Sequence, residues 1–237
     1  MNLPFELMLP TLKEKGISVD DTALLRLEKY AQLLVEWNEK INLTAITDPQ
    51  GIVIKHFLDC ALLLSKVDLP QGAKVVDVGT GAGFPGMVLK ILRPDIQLTL
   101  LDGLNKRLVF LNEVLNQLGL EATTVHLRAE EAGKKSEFRE NFHLVTARAV
   151  AELRTLYEYC LPLCKIGGSF CAMKGPSAAD ELKNAGKAAA ILGGSKGKIE
   201  TETLTGEEIR TFVITKKISQ TPPKYPRASG KISKQPL

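Results

Sequence analysis

Residues 75–86 read VVDVGTGAGFPG. A short apolar run carrying one acid, Asp77, enters a loop with four glycines in eight residues, Gly79, Gly81, Gly83 and Gly86. That composition predicts a strand end turning directly into a helix, with small residues where a ligand must approach the backbone. Pro85 suits the first helical turn, where its missing N–H costs nothing. The G-x-G-x-x-G spacing at Gly81, Gly83 and Gly86 also fits a dinucleotide loop, but here the loop already begins at Gly79, directly after Val78.

Outward from this stretch the chain alternates. Apolar or β-branched runs fall at 74–78, 97–102, 123–127, 143–148 and 168–174, separated by helical patterns. The clearest helix is 105–118, with Leu108, Leu111, Leu115 and Leu118 on one face. Strands separated by helices need crossover connections, hence a parallel sheet covered on both faces. The last two runs, 198–204 and 209–218, are joined only by TGEE at 205–208 and must form an antiparallel hairpin. The expected fold is therefore α/β: a Rossmann-like, class I methyltransferase arrangement with a seven-stranded mixed sheet, a terminal antiparallel hairpin and an N-terminal helical extension.

In that extension Asp20 or Asp21 can cap a helix reaching about Lys40, with Leu24, Leu27, Ala31 and Leu34 at helical spacing beside Tyr30, Leu33 and Trp37. INLTAITDP breaks the pattern, and a second helix is expected from Gly51 to Leu64. The chain thus divides into a helical extension (1–70), a ligand-binding α/β domain (71–218) and a basic tail (219–237).

The charge supports that last division. Of 31 Lys and Arg, six lie from Lys216 onward with no acid among them, which leaves 25 basic against 27 acidic side chains before that point. The excess charge of +4 therefore resides in the tail, read as a solvated end or a phosphate-binding arm. No run approaches the roughly 18 uncharged apolar residues of a membrane span. Four scattered cysteines and no evident signal peptide read as a reduced, cytoplasmic protein. Three separated histidines argue against a bound metal.

Asp77 bears most on the ligand. A carboxylate beside a pyrophosphate is repulsive: two like charges roughly 5 Å apart at an effective dielectric of about 20 repel by about 3 kcal/mol. S-adenosylmethionine has no phosphate and carries an ammonium and a sulfonium, so an acid suits it. Asp102, closing the run 97–102, is placed to accept both ribose hydroxyls. The chain has no Pro-Cys for pyrimidine carbon-5 chemistry. At the end of the fourth run it reads TARAVAE, where amine methylation uses Asn/Asp-Pro-Pro-aromatic. A ring nitrogen such as guanine N7 needs neither nucleophile nor base, only positioning. A nicotinamide oxidoreductase and a non-catalytic RNA-binding protein are the competing readings.

The segments WNEKINLTAI (37–46), KHFLD (55–59), VVDVGTGAGFPG (75–86), LLDGLNKRLVFL (100–111), RAEE (128–131), ARAVA (147–151), MKG (173–175) and the closing YPR…G…K…PL resemble, in order and spacing, the bacterial 16S rRNA guanine-N7 methyltransferases once called glucose-inhibited division protein B. The resemblance implies S-adenosylmethionine contacts at Gly79, Phe84, Ala129, Glu130 and Arg148, and a 16S rRNA substrate in the small ribosomal subunit near the decoding site. It raises Asn42 and His56 beside Arg148 as candidate catalytic residues. Lys106, Arg107, Lys174 and Arg227 are the candidate RNA contacts, and the protein is expected to act as a monomer.

Overall fold

The computed structural model describes residues 1–206 and 208–237; Glu207, in the expected TGEE turn, lies outside the described residues. The helices are α1 (Leu9–Glu14), α2 (Asp21–Ile41), α3 (Pro49–Gly51), α4 (Asp59–Ala61), α5 (Gly86–Leu92), α6 (Asn105–Leu118), α7 (Ala129–Ala132), α8 (Leu153–Cys160), α9 (Ala178–Ile191) and α10 (Ser229–Lys234). The strands are β1 (Lys74–Val78), β2 (Gln97–Asp102), β3 (Thr123–His126), β4 (Phe142–Arg148), β5 (Cys164–Lys174), β6 (Lys198–Thr205) and β7 (Glu208–Lys216).

The strands form one sheet in the order β3-β2-β1-β4-β5-β7-β6. β1 to β5 are parallel, β7 runs antiparallel to β5, and β6 pairs antiparallel with β7. The order reverses between β1 and β4, so the chain leaves those two strands toward opposite sides and opens a crevice at their carboxyl ends. Gly79 and the residues after Arg148 stand at that crevice.

α2 begins where Asp20 accepts a hydrogen bond from the Ala23 amide at 2.7 Å, and it ends at Asn42 in the left-handed region (φ 48°). The expected second helix spans α3, a π-helical stretch Ile52–Leu58, α4 and a 3-10 turn Leu62–Ser65. A π-helical turn widens the backbone and often marks a functional position. These helices do not form a separate body. Leu27, Leu34 and Phe57 share one core with Leu89, Leu100 and Leu111 on one sheet face. Leu156, Tyr157, Phe170, Ala185 and Val213 make the core of the other face.

The tail differs from a solvated arm. Arg139 donates to the carbonyls of Tyr225 (2.8 Å) and Thr221 (2.7 Å), and Ile232 of α10 is fully buried. Lys217 is buried and pairs with Glu140 at 3.1 Å. The Arg227 side chain donates to both carboxylate oxygens of Glu158, at 2.8 and 2.6 Å. Glu158 has no solvent exposure, so its charge needs this partner. The tail is docked by buried ion pairs that charge counting cannot locate.

Candidate active site

The glycine loop is held shut on itself. The Gly79 and Thr80 amides donate to Leu101 O, those of Gly83 and Phe84 to Thr80 O, and that of Met87 to Gly83 O. Two carboxylates take the remainder: Asp102 Oδ2 accepts from Gly81 N at 2.9 Å, and Asp77 Oδ2 accepts from Gly86 N at 2.9 Å and Thr80 Oγ1 at 2.7 Å. Among the described residues, every amide from 79 to 87 except Ala82's is thus committed within the protein; Pro85 has none. A pyrophosphate is cradled by free amides at a helix start, and this loop does not offer them.

From the other side Tyr30 of α2 caps the loop, its hydroxyl donating to Ala82 O. Gly83 is required here for packing. A Cβ on it would lie 2.7 Å from Leu111, Met87 and the Tyr30 hydroxyl, and its φ is +99°. Its Cβ direction therefore points into the core. Gly81 has an open Cβ direction, and of the loop glycines only Gly79 lines a cavity among the described residues.

That cavity, about 360 Å³, is walled by Gly79, Asp102, Gly103, Arg107, Arg128, Ala129, Glu130, Ala149, Val150 and Tyr159. Four expected cofactor positions, Gly79, Asp102, Ala129 and Glu130, thus converge from the ends of β1 and β2 and the start of α7. Asp102 also accepts from Leu104 N at 2.8 Å and from Arg107 at 3.3 Å, which fixes its carboxylate at the wall. The remaining lone pairs suit a ribose diol.

Asp77 is placed differently from its expected direct contact. It is fully buried beneath the loop, off the cavity wall, and its carboxylate staples β1 to the start of α5. Burial pushes its pKa up to about 6, against the hydrogen bonds from Thr80 and Gly86. Its Oδ1 has no hydrogen-bond partner among the described residues. An unpaired buried carboxylate oxygen favours a nearby cation, and together with the loop's closed amides and Asp102 it fits S-adenosylmethionine better than a dinucleotide.

A second cavity of about 560 Å³ adjoins the first, sharing Ala149, and is lined by Lys55, His56, Arg148, Lys174, Glu208 and Arg210 among others. Arg148 does not pair with Glu152, the simple alternative from sequence, which bonds Arg154. Its guanidinium donates to Asp59 Oδ2 (3.0 Å), Lys55 O (3.0 Å) and His56 Nδ1 (3.1 Å), and lies 4.9 Å from the Phe84 ring centroid. Arg148 thus lines the second cavity, which meets the first at the next residue, Ala149.

Phe84 does not line the first cavity. It is a buried plate between the loop and the π-helical stretch, stacked on His56 with centroids 4.3 Å apart and planes at 20°. His56 Nε2 meets Thr44 Oγ1 at 3.0 Å. His56 Nδ1 lies 3.1 Å from both the Arg148 guanidinium, which can only donate, and the Lys55 carbonyl, which can only accept. Burial, with the Arg148 charge beside it, lowers the His56 pKa to about 3. In this geometry both ring nitrogens are engaged and the ring packs against Phe84 and Arg148.

Asn42 is the exposed C-cap of α2 and lines neither cavity; the neighbouring Asn38 side chain braces the turn by accepting from Leu43 N and Thr44 N. Lys106 is exposed on the first turn of α6, while Arg107 turns inward to Asp102. Lys174 reaches the second cavity but pairs with Glu181 at 2.7 Å. Arg227, the foremost expected RNA contact of the tail, is held by Glu158 because that buried carboxylate would otherwise stand alone. The exposed tail cations are Lys216, Lys224, Lys231 and Lys234. Sequence reasoning missed Asp59, Tyr30, Glu158, Arg128 and Arg210. Asp59 lies inside a noted motif; Arg210 is a single cation in an ordinary strand and gave no signal.

All four cysteines are buried, and burial raises the pKa of Cys164 and Cys171 to about 12, so neither is a thiolate nucleophile. Among the described residues no group of His, Cys, Asp or Glu is arranged to hold a metal, and no helix is long and apolar enough to cross a membrane.

The strand order, the reversed seventh strand and a cavity at the strand ends beside Asp102 define the fold of the S-adenosylmethionine-dependent class I methyltransferases. Solved structures share it. A SAM-dependent O-methyltransferase from Thermotoga maritima matches with a TM-score of 0.55 at 14% identity, over 80% of this chain and 72% of that one. A precorrin-6y C5,15-methyltransferase from Geobacter metallireducens matches at 0.52 and 18%, over 76% and 91%. At the sequence level, residues 24–209 match the family model GidB, rRNA small subunit methyltransferase G. Proteins named ribosomal RNA small subunit methyltransferase G from Desulforamulus reducens and Clostridium perfringens are 47% and 45% identical, covering 95% and 98% of both chains. This chain belongs to the GidB, or rRNA small subunit methyltransferase G, family.

Proposed function

We propose that this protein transfers a methyl group from S-adenosylmethionine to N7 of a guanine in 16S rRNA, within the small ribosomal subunit near the decoding site, and that it acts in the cytoplasm. The observation that carries the reading is the pairing of a closed glycine loop with Asp102 at the wall of the adjoining cavity. Family membership supports the rRNA substrate, because the relatives are named for it.

When bound, the cofactor supplies an electrophilic methyl group on a sulfonium. Asp102 would accept from the ribose hydroxyls, with Gly79, Ala129 and Glu130 forming the surrounding wall. The acceptor would enter through the second cavity, whose cations suit a polyanion. Guanine N7 attacks with its own lone pair, so no base has to take a proton before transfer. That suits a site whose one histidine is neutral and has both ring nitrogens engaged. Catalysis then rests on alignment, with the charged groups fixed before substrate arrives.

The test is transfer of labelled methyl groups to small subunits from a strain lacking the protein, followed by mapping of the modified base. Label at a guanine N7 of 16S rRNA is expected. Label only on protein, on another base position, or none with S-adenosylmethionine demonstrably bound, would overturn the reading.

A further inference from the structure

Asp59 has no solvent exposure and sits between two guanidinium groups that arrive from different parts of the sheet. Its Oδ2 accepts from Arg148 at the end of β4, and its Oδ1 from Arg210 Nε on β7. Arg210 Nη1 also donates to Lys174 O at 3.3 Å. Arg210 Nη2 meets no acceptor among the described residues, and the residue lines the second cavity beside Lys55, Arg148 and Lys174. Of the other cations there, Arg148 makes three contacts, Lys174 pairs with Glu181 and donates to Ala151 O, and the exposed Lys55 makes a single 3.4 Å pair with Glu208.

We infer that Arg210 binds a phosphodiester oxygen of the RNA acceptor, and that Asp59 is the residue that positions Arg210 and Arg148 for it. The inference rests on the rRNA methylation proposed above and names the contact on the acceptor side. A guanidinium held through Nε by a carboxylate and through Nη1 by a carbonyl presents its Nη2 N–H groups in a set direction, which suits a phosphate. The base itself is a poor partner. Attack by N7 leaves positive charge on the guanine ring, so a guanidinium against that ring would oppose the reaction. One carboxylate between two guanidiniums limits the excess positive charge beside the base while leaving a donor for the backbone.

The experiment compares wild type, Arg210→Gln and Asp59→Asn on small subunits lacking the modification, with four readouts. These are kcat, KM for subunits across a salt series, S-adenosylhomocysteine affinity by calorimetry, and thermal midpoint. Arg210→Gln should raise KM for subunits about tenfold or more. It should also flatten the salt dependence by about 0.7 log units, one phosphate contact. Its kcat at saturating subunits and its S-adenosylhomocysteine affinity should stay at the wild-type values. Asp59→Asn should lose kcat as well, because Arg148 loses its anchor too. If Asp59→Asn does not fold, Arg210→Gln alone carries the test. A folded Arg210→Gln with wild-type KM and salt slope overturns the inference. So does a variant whose S-adenosylhomocysteine affinity, thermal midpoint and activity fall together, since that marks a brace of the fold. Wild type that transfers no methyl group defeats the rRNA reading itself, before any variant is compared.

Discussion

Arg227 and Glu158, 69 positions apart, form a two-pronged ion pair in which the carboxylate has no solvent exposure and also accepts from the Arg227 amide at 2.8 Å. The next residue along α8, Tyr159, lines the cavity proposed for the cofactor. The final segment of the chain therefore braces the helix that walls that cavity.

Breaking that pair should act on stability. Arg227→Ala leaves a buried carboxylate without its partner, and should cost about 3–5 kcal/mol. Urea unfolding followed by circular dichroism checks this. Deleting residues 219–237 should be worse, because Thr221, Tyr225 and Ile232 are buried as well. A truncated protein as stable as the full chain would show that the tail is not part of the fold.

RNA attraction by the tail should reside in the exposed lysines. Changing Lys224, Lys231 and Lys234 together to Gln should leave the thermal midpoint unchanged. The salt dependence of subunit binding should then flatten by up to about 2–3 log units, at 0.7–0.9 for each phosphate contact. Identical slopes for the two proteins would place RNA contact elsewhere on the surface.

Asp102→Ala should weaken S-adenosylhomocysteine binding by about 10- to 150-fold, the loss of one charged hydrogen-bonding partner of about 1.5–3 kcal/mol. The Gly81 and Leu104 amides lose their acceptor at the same time, so amide exchange in the loop should quicken. Calorimetric titration and hydrogen exchange measure the two effects. Unchanged affinity in the folded variant removes Asp102 from the site.

Two buried groups should pull stability in opposite directions with pH. Asp77 holds its proton more tightly in the fold (about 6) than in the unfolded chain, so its contribution falls as pH rises from about 4 to 6. That loss is on the order of 3 kcal/mol and should vanish in Asp77→Asn. His56 binds its proton less tightly in the fold, with a pKa of about 3, so its contribution is lost as pH falls from about 6.5 toward 3. His56→Gln should remove that acid sensitivity. Unfolding midpoints of both variants across pH 3–8 decide each sign, and the pH–rate profile should carry no step from His56 near 6.5.

A protein with all four cysteines replaced by Ala or Ser should still transfer methyl groups, with some stability lost from the core positions. Failure to turn over in a folded variant, rescued by restoring one cysteine, would put a thiol in the mechanism.

The alternating pattern around VVDVGTGAGFPG sufficed for the parallel strands and the hairpin, since 74–78, 97–102 and 105–118 coincide with β1, β2 and α6. Asp102 was placed at the crevice by its position at a strand end, and Ala129 and Glu130 by the resemblance of RAEE to the family motif; all three line the first cavity. One-dimensional spacing cannot tell which side of a loop a residue faces: the Cβ direction of Gly83 and the side chains of Phe84 and Asp77 turn toward the core. Arg227 looked free because Glu158, its partner, is remote in sequence and sits in a helix whose charge reads as surface. Arg210 left no local trace: its meaning comes from Asp59, 151 positions earlier.

The closed amides of residues 79–87 also bear on the company this protein keeps. Nucleoside di- and triphosphates and nicotinamide dinucleotides share the adenosine half of S-adenosylmethionine and would compete for any pocket that recognises it. Here the loop leaves almost nothing for their phosphates to bind, and buried Asp77 adds a negative charge beneath it. Adenosine compounds that carry phosphates should therefore bind more weakly than S-adenosylmethionine, before any methyl acceptor is present, and competition titrations read this directly.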